Sequence, residues 1–136
     1  MAYQFMPMYN VDFPVGIGEP NDSRDVMLVK LLFIAYDQAT QFHRTVGNLT
    51  THTGLQPDGE FHPRLADWIT AFQSTSGRLP PDGKIQPIPS SGGTFVGMTG
   101  GVSSTLAVLN YNVLRAAPVA HRLIAQRMHL QIKTGF

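Results

Sequence analysis

From Val26 to Tyr36 nearly every side chain is apolar, and Lys30 is the lone charge. A surface helix shows a single apolar stripe, so "NDSRDVMLVKLLFIAYDQA" predicts a helix buried on several sides. Asp22 or Ser23 suits its N-cap, and Asp25 lies in the first turn, where a carboxylate favours the helix dipole. A second helix is predicted over "HPRLADWITAFQSTSG", because Leu65, Trp68, Ile69 and Phe72 recur at i, i+3, i+4 and i+7. Pro63 fits its first position and Gly77 its C-terminal cap. "SSTLAVLNYNVLRAA" predicts a third, capped by Ser103 or Ser104, with Leu106, Leu109, Val113 and Leu114 inward. Pro118 opens a last helix to about Leu130, with Leu123, Ile124, Met128 and Leu130 on its apolar side. These two helices are expected to cover the far side of the first.

The remaining stretches lack a period. Residues 1–20 are rich in aromatics, Met and Pro and read as an extended arm, with Tyr3, Phe5, Met6, Met8, Tyr9 and Phe13 packed on the domain. Residues 40–57 read as a loop, and residues 87–101 as a Gly-rich connection, either flexible or a short hairpin around Thr94 to Met98.

One pattern occurs twice. "LQPDGEFHP" at 55–63 and "LPPDGKIQP" at 79–87 share Leu-x-Pro-Asp-Gly-x-apolar-x-Pro, 24 positions apart. Proline presets its backbone angle for a turn, the aspartate caps nearby amides, and glycine is expected in the left-handed conformation. Phe61 and Ile85 are then aimed at the core. Pro63 starts a helix after the first copy, whereas Pro87 and Pro89 oppose one after the second.

These residues carry a resemblance. "GEPNDSRDVMLVKLLF", "GLQPDGEFHPRLADWITAFQSTSG" and "LPPDGKIQP" together resemble the peptidoglycan-binding-like domain family, over about residues 16–89. Asp25-Val26 matches the family's first helix, Asp58-Gly59-Glu60-Phe61 its turn, Ala71-Phe72-Gln73 its second helix, and Leu79 with Asp82-Gly83 its closing turn. His62 stands where the family pattern has glycine, and Gln86-Pro87-Ile88-Pro89 where it has Gly-x-x-Thr. The resemblance implies a small three-helix core and non-catalytic binding of a peptidoglycan fragment, with contact around Phe61, His62, Arg64, Gln73 and Gln86.

Composition narrows the rest. At 136 residues the chain fits one domain, and with 43% apolar residues it needs no staple. Charged residues are 14%, against about 25% in typical soluble domains. The net charge of +1, with no run of Lys or Arg, argues against nucleic acid. There is no cysteine, hence no disulfide, thiolate or Cys-bound zinc. No window approaches the about 18 apolar residues of a membrane span. The opening stretch lacks the features of a signal peptide, which predicts a cytoplasmic protein, with export by a dedicated machine as the alternative.

No complete catalytic set is legible, so no enzyme and no cofactor are expected. Asp58 and Asp82 read as turn residues, and Trp68 and Phe72 as core, although either ring could stack on a sugar. His43, His52 and His62 are about ten apart and His121 and His129 eight apart, neither giving the i, i+4 spacing of a helical zinc pair. "GTFVGMTGGVSST" lacks the Gly-Lys-Ser/Thr ending of a phosphate loop, and Ser103 and Ser104 lack a Gly-x-Ser-x-Gly setting.

The expected architecture is mainly helical. A peptidoglycan-binding-like core over 21–89 carries an arm at 1–20 and a helical extension at 90–136, all in one unit. The alternative function is a protein-interaction or assembly module of a secretion apparatus or phage particle, using the same fold. That reading also admits a homodimer, because a helix as apolar as Val26 to Tyr36 must be covered by something.

Overall fold

A computed structural model describes residues 8–46, 55–76, 79–88 and 104–128. Their regular structure is helical: α1 is Ser23–Thr40, α2 His43–Val46, α3 Pro63–Ser76, α4 Thr105–Ala116 and α5 Pro118–Met128. An isolated antiparallel bridge joins Val15 and Ile85. Val15 N–H donates to Ile85 O at 3.0 Å and Ile85 N–H to Val15 O at 2.8 Å.

Helix α1 is the centre of the molecule. Ten of its residues are buried, on all sides of the cylinder, because α4 and α5 pack against it and α3 faces it through aromatic rings. The cover that its composition demands comes from this chain. Asp22 is the N-cap, its carboxylate accepting from Arg24 N at 3.0 Å. At the other end Gln41 adopts φ +59°, and its N–H returns to Asp37 O. Ser104, not Ser103, caps α4.

A ring cluster joins α1, Phe42 just before α2, and α3. Phe33 stands edge-on to Trp68 and Phe72 at centroid distances of 6.0 and 5.9 Å, and Phe42 packs against Phe33, Trp68 and Phe72 at 5.9–6.3 Å. Rings at these separations contribute beyond their buried area. The cluster corrects the reading of residues 40–57 as loop, since Phe42 is core and His43–Val46 is helical. One turn of helix is too short to leave a periodic signal.

Two inward assignments are also corrected. Phe13 is 53% exposed although Met8 and Tyr9 of the same segment are buried, and Leu123 is 45% exposed on the outer side of α5. Leu114 is half-buried. Helix α5 buries Ile124 and Met128 as expected, with His121 rather than Leu123 beside them, a stripe set by its contact with α4 and α1. Tyr3, Phe5, Met6, His52, the stretch Thr94 to Met98, His129 and Leu130 lie outside the described residues.

Candidate functional site

The two Pro-Asp-Gly stretches are built alike. In the first, Asp58 N–H donates to Gln56 O at 2.8 Å, and the Asp58 carboxylate accepts from Glu60 N at 3.0 Å. In the second, Asp82 N–H donates to Pro80 O at 2.8 Å, and the Asp82 carboxylate accepts from Lys84 N at 3.0 Å. Each carboxylate also takes one long side chain from a helix. Lys30 Nζ of α1 reaches Asp58 at 2.7 Å, and Gln73 Nε2 of α3 reaches Asp82 at 2.8 Å. The Lys30 ammonium holds the Asp58 carboxyl below its ordinary value. Both carboxylates are thereby committed to holding turns.

The two glycines serve different needs. Gly83 has φ +71°, as the turn pattern expects. Gly59 does not have a positive φ, which corrects the expectation of a left-handed residue there. What Gly59 needs is room, since a Cβ would stand 2.6 Å from the Ser23 carbonyl oxygen at the start of α1. A Cβ at Gly83 would meet Thr70 Oγ1 at 2.9 Å, with the Ala66 carbonyl at 3.6 Å, so the second turn lies on the first two turns of α3.

The five residues expected at the ligand differ in exposure. His62, Arg64 and Gln86 are exposed. His62 Nδ1 accepts from Arg64 N at 3.0 Å, so the imidazole caps the start of α3 and orients the arginine's backbone. Phe61 is half-buried against the core. Gln73 is the exception: it is 1% exposed, and its amide is engaged within the chain. Gln73 Oε1 accepts from Gly83 N at 2.8 Å, while Nε2 lies within 3.1 Å of Lys84 O and within 3.0 Å of Thr105 Oγ1 at the start of α4. It fastens the second turn to α3 and α4. Trp68 and Phe72 are 1% and 2% exposed, inside the ring cluster.

Three asparagines repeat the device of Gln73. Asn110 of α4 accepts from Tyr9 N at 2.9 Å and donates to Tyr9 O at 3.0 Å. Asn10 brackets Ile88 in the same way at 2.8 and 3.1 Å, and Asn21 brackets Gly16 at 2.8 and 2.9 Å. A carboxamide offers the donor and acceptor of a peptide group, so each side chain stands in for a neighbouring strand. His121 joins the first of these clamps, with Nε2 3.0 Å from Asn110 Oδ1. Because that oxygen accepts from Tyr9 N–H as well, Nε2 is the protonated nitrogen of the neutral ring. Tyr9 completes the network: its hydroxyl donates to His121 O at 2.5 Å and accepts from Ala125 N at 3.1 Å. Burial lowers the His121 pKa to about 4.

None of these clamps was found from the sequence, although a signal was there. Asn110 lies at i+4 from Leu106 and Gln73 at i+4 from Ile69, both on apolar stripes. His121 shares a stripe with Ile124 and Met128. A polar residue at a stripe position must find a partner inside.

The histidines divide by role. Asp37, buried at the end of α1, accepts from His43 N at 2.6 Å and lies 2.9 Å from His43 Nδ1, tying α2 to α1. Among the described residues no group of three or more His, Asp or Glu side chains is placed to hold a metal ion, and no helix is long and apolar enough to cross a membrane. Compared with protein-family models, curated proteins and solved structures, the chain matches none.

Proposed function

We propose that the chain is a non-catalytic binding protein whose ligand is a peptidoglycan fragment, received at the start of α3. The observation that supports the reading is the pair of like-built corners flanking α3. Their carboxylates are occupied with holding the turns, and His62, Arg64 and Gln86 stand outward around them. Arginine suits the carboxylates of a muramyl peptide, since its planar donors match a carboxylate in two-point fashion. Phe61 supplies a half-buried apolar floor beside it, while Gln73 belongs to the scaffold and makes no ligand contact.

Co-sedimentation with purified sacculi tests this. The protein is expected to pellet with the sacculi, and the paired change His62→Ala with Arg64→Ala to leave most of it in the supernatant. Both side chains are exposed, so the thermal transition should barely move. Equal pelleting by wild type and variant would remove the site, and no pelleting by the wild type would remove the ligand.

A second reading, an assembly module of a secretion apparatus or phage particle, is favoured by a separate observation. Phe13 and Ile17 of the segment before α1, with Val119 and Leu123 of α5, are large apolar side chains left 45–61% exposed.

A further inference from the structure

The four exposed apolar side chains form two pairs in opposite electrostatic settings. Phe13 and Ile17 lie on the segment leading into α1, with Asp12 and Asp22 exposed beside them and the Asp25 carboxylate buried behind. Burial raises the Asp25 pKa, and the Asp22 and Asp12 carboxylates push it the same way, so the three negative charges share one neighbourhood. None of the three is among the ion pairs of the described residues; the cations nearby are Arg24, exposed in the first turn of α1, and Lys84, whose ammonium pairs with Glu19 at 2.8 Å.

Val119 and Leu123 are one turn apart on the outer side of α5. Arg115, Arg122 and Arg127 are exposed at neighbouring positions of α4 and α5. No acidic residue can neutralise them locally in the sequence, since all nine acidic residues lie at or before Asp82 while five of the ten Lys and Arg lie from Lys84 onward. The net charge of +1 therefore conceals an uneven distribution of charge along the sequence.

The acidic pair is also held rigidly. The Asp12 and Phe13 N–H groups each donate to the Asp25 carboxylate at 3.0 Å. Glu19 N–H returns to Gly16 O at 3.1 Å, and Gly18 takes φ +81°, which sets Ile17 at the corner of a tight turn. Asn21 clamps Gly16 from beneath. A preordered apolar corner loses little entropy on docking, which favours its use as an anchor.

We propose that these two surfaces are complementary halves of one contact between copies of this chain: Phe13 and Ile17 with their aspartates on one copy seat against Val119 and Leu123 with their arginines on the next. Apolar burial supplies affinity, and the opposite charges supply register and a faster encounter. Because the contact joins unlike surfaces, it permits a closed pair in which each copy offers one of each, or a growing chain. The inference deepens the assembly reading by naming the partner as a second copy.

Sedimentation of the full chain over a wide concentration range tests it, at low and at high salt. At low salt the mean mass is expected to reach at least twice that of the monomer, and high salt to shift association to higher concentration. Ile17→Lys alone and Leu123→Glu alone should each abolish association while leaving the thermal transition in place. Mixing the two variants should restore a species of two chains, because each retains the surface that the other has lost. A monomer at every concentration overturns the proposal, as does association that survives either change, strengthens with salt, or is not restored by mixing. A chain that stays monomeric yet captures a different component sinks this inference and leaves the assembly reading standing.

Discussion

Asn110 holds both the N–H and the C=O of Tyr9, a residue 101 positions away, and orients His121 with the same oxygen. Replacing it by alanine strands an amide, a carbonyl and an imidazole N–H in a site where Asn110 is fully buried. Each such group costs about 1–3 kcal/mol when unmatched, and partial relaxation brings the expected loss to about 3 kcal/mol for Asn110→Ala in urea denaturation. Asn110→Asp should be no milder, since it restores the acceptor but puts a carboxylate against the Tyr9 and Leu106 carbonyls. Residue roles of this kind were partly legible. The stripes of α3, α4 and α5 show Gln73, Asn110 and His121 on inward positions, but spacing names no partner when that partner is backbone far off in sequence.

The two corners make their own test of what an element requires. Alanine at Gly59 or at Gly83 is expected to destabilise by about 1–3 kcal/mol, for unlike reasons. At Gly83 the obstruction is a hydroxyl, Thr70 Oγ1, so Thr70→Ala should recover part of the loss and leave the part due to φ +71°. At Gly59 the obstruction is the Ser23 carbonyl and Cβ, so Ser23→Ala should recover nothing. Thermal unfolding of the two double-mutant cycles measures both, and equal recovery would refute the distinction. The elements themselves were readable wherever a period or a cap exists: α1, α3 and α4 begin within a residue or two of where Asp22, Pro63 and Ser104 place them. Helix α2 and Phe42 were not, because one helical turn has no period to read. The outward turn of Leu123 was missed because α5 carries apolar residues on two faces, and only its packing against α4 and α1 chooses between them. The five expected contact residues illustrate the same limit: exposure separates His62, Arg64 and Gln86 from Gln73, and exposure is set by tertiary packing.

At the scale of the whole molecule, acid should loosen the fold through one histidine. Among the described residues no carboxylate contacts His121 to favour its cation. Tyr9 faces it from the opening segment with ring centroids 4.7 Å apart, and α4 presents neutral Asn110. On α1, Asp25 holds the Asp12 and Phe13 amides, Lys30 pairs with Asp58, Asp37 pairs with His43, and Arg24 is exposed. Arg115 of α4 lies over Tyr111, while Arg122 and Arg127 of α5 are exposed. With a folded pKa of about 4 against 6.5 for the ordinary group, the unfolded chain takes up this proton first as pH falls. The stabilisation is complete above about pH 6.5 and is lost progressively towards pH 4, by roughly 3 kcal/mol. Urea midpoints measured across that window should fall more steeply for the wild type than for His121→Phe, and parallel curves would refute the assignment. The Tyr9 clamp has one more consequence, which concerns order in time. The groups that fix Tyr9 reside on Asn110, His121 and Ala125, so no local structure can settle Tyr9 beforehand. On the ribosome, Tyr9 must wait until residue 125 has emerged and α4 and α5 have docked. The early-made Tyr9 is therefore among the last residues to be locked, and a chain halted before α5 leaves its ring exposed to misassociation.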